Sequence, residues 1–150
     1  VSDPHTVGAI LRSGAVFGAR AVIAPARHGA PETGALAKAA SGAVEHVPYL
    51  RVTNLARAMA TLADAGWHII GLDGDAAPTL DGALGGAGGA PVVMALGAEG
   101  AGLRPGTRES CAALARIAPA GGFGSLNVSA AAAVALHAAS AARIRGITPG

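Results

Sequence analysis

Residues 121–136 read GGFGSLNVSAAAAVAL. A glycine-rich opening leads to Ser125-Leu126-Asn127 and then to an almost unbroken run of Ala and Val. Asn127 stands where a helix N-cap stands, ahead of apolar residues able to continue as helix to about residue 145. A helix this apolar and this small-faced is built to pack against other backbone. Two polar side chains at its mouth, behind glycines, suggest a ligand site.

Working outward, the chain alternates short apolar runs with helical patterns. Strands are predicted at residues 21–24 (AVIA), 47–52, 67–72 (WHIIGL), 91–96 (PVVMAL) and 114–117. Helices are predicted at 7–17, 35–43, 55–65 and 107–113, the third capped by Thr53 or Asn54 and closed by Gly66. Residues 73–90 read as an exposed glycine-rich connection with a short helical turn near 79–84. PVVMAL is apolar on both faces, as a central parallel strand is. The alternation predicts an α/β fold with a parallel sheet covered on both faces.

At 150 residues and 51% hydrophobic content, the chain can bury one sizeable core. The formal charge of +2 is compatible with an RNA partner without demanding one. Lys38 is the single lysine, and the other basic residues are arginines, which suit bidentate phosphate contact. Cys111 is the only cysteine, so an internal disulfide or a multi-cysteine zinc site is excluded. No uninterrupted apolar span of about 20 residues occurs, and a cytoplasmic protein is expected.

Several chemistries lack their motif. There is no phosphate-binding G-x-x-x-x-G-K-[ST] loop, no G-x-G-x-x-G after the first strand and no G-x-S-x-G elbow. His5, His28, His46, His68 and His137 have no metal-ligand spacing, and no metal is expected. Asp73 and Asp75, in a glycine-rich loop, read as turn residues.

Three clusters remain. The first is Thr6-Val7-Gly8-Ala9-Ile10-Leu11-Arg12-Ser13, the second Leu96-Gly97-Ala98-Glu99-Gly100-Ala101-Gly102-Leu103, and the third Ser125-Leu126-Asn127-Val128-Ser129. The glycine loops of the second and third follow the carboxyl ends of predicted strands, where α/β proteins bind ligands. Bare backbone N–H and C=O groups there can reach an adenine and a ribose.

In order and spacing these clusters resemble the SpoU branch of the SPOUT methyltransferases, with its motifs N-x-G-A-I-x-R-S, G-x-E-G-x-G-L and S-L-N-V-S. The segments 51–57 (RVTNLAR) and 107–111 (TRESC) look closest to the group that methylates a guanosine 2′-hydroxyl in 23S ribosomal RNA. The resemblance implies a deep C-terminal trefoil knot, which strand patterns alone could not suggest. It implies S-adenosylmethionine held by Leu96, Gly97, Gly102, Ile117 and Leu126, largely through backbone. It implies catalytic roles for Arg12, Glu99, Ser125 and Asn127, substrate contacts from Thr6, Arg12 and Ser13, and a homodimer. A guanidinium keeps its proton in neutral water, so Arg12 is expected to hold a phosphate and stabilise a developing alkoxide rather than act as base. The family's first motif opens with Asn where this chain has Thr6, which keeps a hydroxyl but loses the amide's paired donor and acceptor. The resemblance also implies that the 150 residues are the catalytic domain of a longer chain with an N-terminal RNA-binding domain. Two alternatives stay open: a tRNA or antibiotic-resistance rRNA enzyme of the same chemistry, and a catalytically silent RNA-binding or dimerisation module.

Overall fold

Helix α1 (Pro4–Val16) begins at a proline that needs no N–H partner, and Asp3 Oδ1 accepts the His5 N–H at 3.0 Å. That cap starts the helix three residues earlier than its apolar pattern predicts. The computed structural model describes residues 3–26, 31, 33–98, 100–121 and 126–147. Strand β1 (Val22–Pro25) follows, then helix α2 (Gly34–Ala40). The predicted helix over 35–43 is cut short because Ser41 and Gly42 both take positive φ, 53° and 81°, leaving Ala43–Glu45 as one 3₁₀ turn. Strand β2 is Tyr49–Val52, and it pairs in parallel with β1.

Asn54 caps helix α3 (Leu55–Asp64) by accepting the Arg57 N–H at 3.0 Å. Strand β3 (His68–Leu72) pairs in parallel with both β4 (Val92–Ala95) and β5 (Ala113–Ala115), giving the order β4-β3-β5. All five predicted strands are present: β1 is shifted one residue on, to end at Pro25, β5 begins one residue early, and β2 to β5 are shorter than predicted. The expected single sheet is hydrogen-bonded among the described residues as two, β1-β2 and β4-β3-β5. Four-residue β1 ends in Pro25, which has no N–H, so it offers few donors to a second neighbour.

Alternate residues of β3 serve opposite faces. Ile69 packs with Met59 of α3, Val93, Ala95, Leu103 and Cys111. Ile70 packs with Leu80, Ala83 and Leu84 of helix α4 (Leu80–Gly86) and with Ala135 of helix α6 (Val128–Ile147). Both faces of the three-stranded sheet are therefore covered, as its apolar strands require. The segment 73–90 is less exposed than expected. Thr79 caps α4, and the three apolar residues of that helix are buried. A third core joins Val7 and Leu11 of α1 to Leu36 and Ala40 of α2 and to Val47.

Helix α5 spans Pro105–Glu109 rather than 107–113. Pro105 fixes its first turn, and residue 113 already belongs to β5. Helix α6 packs against α1, α4 and β4. The expected knot concerns the chain that leads from β5 into α6, of which residues 122–125 lie outside the described residues.

Candidate functional site

The second motif forms a closed loop at the carboxyl end of β4. The Gly102 N–H donates to the Ala98 carbonyl at 2.9 Å, and the Ala98 N–H donates back to the Gly102 carbonyl at 3.2 Å. Gly100 and Gly102 have φ of +79° and +70°, which side chains rarely tolerate. Gly97 faces backbone so closely that a Cβ there would lie 2.2 Å from the Gly102 carbonyl carbon and 2.5 Å from the Leu103 nitrogen. The glycines are thus required by the loop's closure. Leu96 and Gly97 are half-buried and Gly102 is exposed. Glu99 lies outside the described residues.

At the carboxyl end of β5, Arg116 and Ile117 leave the sheet. The Arg116 N–H donates to the Pro78 carbonyl at 2.9 Å, and the Leu80 N–H donates to the Arg116 carbonyl at 2.8 Å. Ile117 is half-buried against the α4–α6 core. The exits of β3 and β5 are thereby stitched together beside the exit of β4.

The third motif enters α6. Asn127 Oδ1 accepts the Ala130 N–H at 2.8 Å and the Ser129 hydroxyl at 3.0 Å, so the predicted N-cap is present. Among the described residues no hydrogen bond takes up the amide nitrogen of Asn127. Leu126 stands 52% exposed just ahead of it. Ser125 lies outside the described residues.

The first motif runs along α1. Thr6 sits in the first turn, and its hydroxyl donates to Asp3 Oδ2 at 3.3 Å. Ser13 is half-buried, and its carbonyl accepts the Phe17 N–H. Arg12 is exposed, and among the described residues nothing acidic pairs with it. Helix α6 touches both α1, which carries the first motif, and β4, the strand that runs into the second. No hydrogen bond among the described residues joins Arg12 itself to the second or third motif.

Sequence reasoning missed one feature at this edge. Arg108 Nη1 lies 2.5 Å from Asp73 Oδ2. Asp73 Oδ1 also accepts the Asp75 N–H at 2.9 Å, so the predicted turn role is present with an ion pair added. That N–H, and then the Arg108 guanidinium, hold the Asp73 carboxyl below the usual carboxylate range. Residues 35 apart in the chain carried no local signal of this pairing. Nearby, burial pushes the Cys111 thiol up, and Sγ donates to the Thr107 carbonyl at 3.3 Å.

An open groove lies elsewhere, between β1–β2 and α3, lined by Ile23, Val52, Asn54, Arg57, Thr61 and Leu62 among others. None of the predicted site residues lines it, and Asn54 is occupied in capping α3. Among the described residues no group of three or more His, Cys, Asp or Glu is placed to hold a metal ion.

A closed glycine loop thus stands at the carboxyl edge of parallel strands, and the small-residue helix α6 lies over α1 and β4. The crystal structure of the SpoU methyltransferase AviRb from Streptomyces viridochromogenes superposes with a TM-score of 0.82 at 27% identity, over 97% of this chain and 57% of that one. AviRb in complex with the cofactor AdoMet gives 0.82 at 25% identity, over 97% and 58%. The family model described as the SpoU rRNA Methylase family matches residues 1–137, and the chain belongs to that family. A Burkholderia sp. protein named 23S rRNA (guanosine-2′-O-)-methyltransferase RlmB is 49% identical over 150 residues, 97% of this chain and 58% of its own length. The chain thus spans about half the length of the curated relatives it matches.

Proposed function

We propose that this domain binds S-adenosylmethionine and directs its methyl group to a ribose 2′-hydroxyl of RNA, a guanosine of 23S ribosomal RNA. The observation that carries the reading is the closed Gly97–Gly102 loop at the same carboxyl edge of the sheet as Ile117, on a domain whose motif-bearing helices α1 and α6 pack together. Backbone at Leu96, Gly97, Gly102 and Ile117 suits an adenosine, because the glycines bring no side chain of their own to the loop. Exposed Leu126 suits the ring's open face. The donor, when bound, supplies an electrophilic methyl on a sulfonium.

The chain's own residues then align and polarise the acceptor. Arg12 holds a phosphate of the target and stabilises negative charge developing on the 2′-oxygen. Thr6 and Ser13 lie on the same helix and help seat the ribose. Asn127 offers its amide nitrogen to the nucleotide or cofactor, and Ser125 shapes the same mouth. Glu99 orients Arg12 or the loop. The knotted threading belongs to the same reading, as does a cytoplasmic location, where ribosomal RNA is found.

The domain works as a homodimer in this reading. Val16 is 70% exposed and Val134 42% exposed on two helices that touch, with Phe17 edge-on to His137 at 5.5 Å between ring centres. Such an apolar surface suits a second copy of the chain. Selection of the RNA target is assigned to sequence beyond this domain, in keeping with the extra length of the relatives.

A titration of the protein with S-adenosylmethionine, followed by methyl transfer to 23S ribosomal RNA and mapping of the modified ribose, tests the reading. Failure of the folded protein to bind the donor overturns it. One observation favours a silent module: the Thr6 hydroxyl is already engaged by Asp3. Donor binding without methylation of any ribosomal or transfer RNA by the full-length protein would select that second reading.

A further inference from the structure

We propose that the Asp73–Arg108 ion pair is a positioning device that holds the donor loop in its binding shape. The inference rests on the reading of Gly97–Gly102 and Ile117 as the donor site. Asp73 follows the central strand β3, between the exits of β4 and β5. It is tied in both directions. Its carboxylate holds Arg108 of α5, the helix that begins three residues after Gly102. Its backbone N–H donates to the Ala115 carbonyl at 2.9 Å, two residues ahead of Ile117. One residue therefore sets the spacing between the two walls of the proposed pocket.

Packing beneath the pair makes the tie stiff. A Cβ on Gly71 would lie 2.8 Å from Leu103 Cδ1, 2.8 Å from Cys111 Sγ and 2.9 Å from Leu114 Cδ2. Leu103 comes directly after the loop, and Cys111 comes just after α5. Both ends of the segment 103–111 thus rest on the β3 backbone, and Arg108 fastens its middle. Asp73 retains 13% side-chain exposure and Arg108 49%. A pair this open to water contributes little to global stability. Its effect is local: it lowers the chance that α5 and the loop lift away from the sheet. No group in the pair reaches the reacting atoms in this account, so both are positioning residues.

The test uses the full-length protein with Asp73→Asn, Arg108→Gln, the double variant and Arg108→Lys. Donor affinity, turnover at saturating donor, the melting temperature and amide exchange at Ala98 and Gly102 are measured for each. We expect Asp73→Asn and Arg108→Gln each to weaken donor binding by about fivefold, the upper reach of a half-exposed pair. The double variant should be no worse than either single one, because the coupling is lost once. Arg108→Lys should recover part of the affinity. Turnover at saturation should hold and the melting temperature should fall only slightly, while exchange at Ala98 and Gly102 quickens. Unchanged affinity and unchanged exchange in Asp73→Asn would overturn the proposal, as would an affinity loss that only follows a fall in melting temperature. If the parent protein binds no donor, the functional reading itself fails. The exchange measurement then still judges whether the pair governs the loop.

Discussion

Gly97 and Gly102 approach so closely that a Cβ on Gly97 would meet the Gly102 carbonyl oxygen at 2.5 Å. The obstacle is backbone, which cannot swing aside as a flexible side chain does. Gly97→Ala should therefore open the loop. We expect it to lower stability by about 1–3 kcal/mol, the usual effect of forcing a methyl into a filled space. It should abolish donor binding measured by calorimetry. Retained affinity in a folded Gly97→Ala protein would remove this loop from the site.

Asn127 has two separable uses. Its Oδ1 caps α6, and its amide nitrogen is the part available to a ligand. Asn127→Ala should cost about 1 kcal/mol in a denaturant titration through loss of the cap. Asn127→Asp keeps an accepting oxygen and should stay within a few tenths of a kcal/mol of the parent. If the amide touches nucleotide or cofactor, Asn127→Asp loses methylation while remaining stable. Full turnover in Asn127→Asp would confine Asn127 to capping.

Arg12 is exposed and has no acidic partner among the described residues. Arg12→Ala should leave the unfolding free energy within about 0.5 kcal/mol of the parent, as surface changes usually do. Donor affinity should be nearly intact. Methyl transfer should fall by about a hundredfold or more, the scale of a lost transition-state donor. A variant with parental turnover would take Arg12 out of the mechanism.

Asp73 gives a pH signature. The Asp75 N–H and then Arg108 lower its carboxyl pKa in the folded protein. A carboxyl depressed on folding stabilises the protein above its unfolded pKa, and this contribution is lost as pH falls through the folded value. The difference in melting temperature between the parent and Asp73→Asn should thus be constant above about pH 5 and shrink below about pH 4, near the ordinary carboxylate value. A difference that grows on acidification would contradict the assigned sign.

Much of the fold was legible because it rests on local patterns. Apolar runs located all five strands, and Asn54, Asn127 and Gly66 punctuated helices where their backbone chemistry predicts. Local punctuation also moved boundaries: Asp3-Pro4 started α1 early, and Ser41-Gly42 stopped α2. The segment 73–90 showed its helical turn near 79–84 but not its burial, because the apolar residues 80, 83 and 84 are diluted by glycines and only the neighbouring core shows that they are buried. The second motif was legible as a glycine loop, but its closure onto Gly102 was not.

By itself the sequence determined the elements, their parallel alternation and the three motifs that mark the family, since these depend on neighbours within a few residues of one another. Only the tertiary structure decided that α6 lies against α1 and β4, that Gly71 seats Leu103 and Cys111, and that Asp73 takes Arg108 as its partner. Those pairings are set by how strands are ordered in a sheet and by which side chains share a face. Contacts across 35 residues leave no periodicity in the chain from which they could be read.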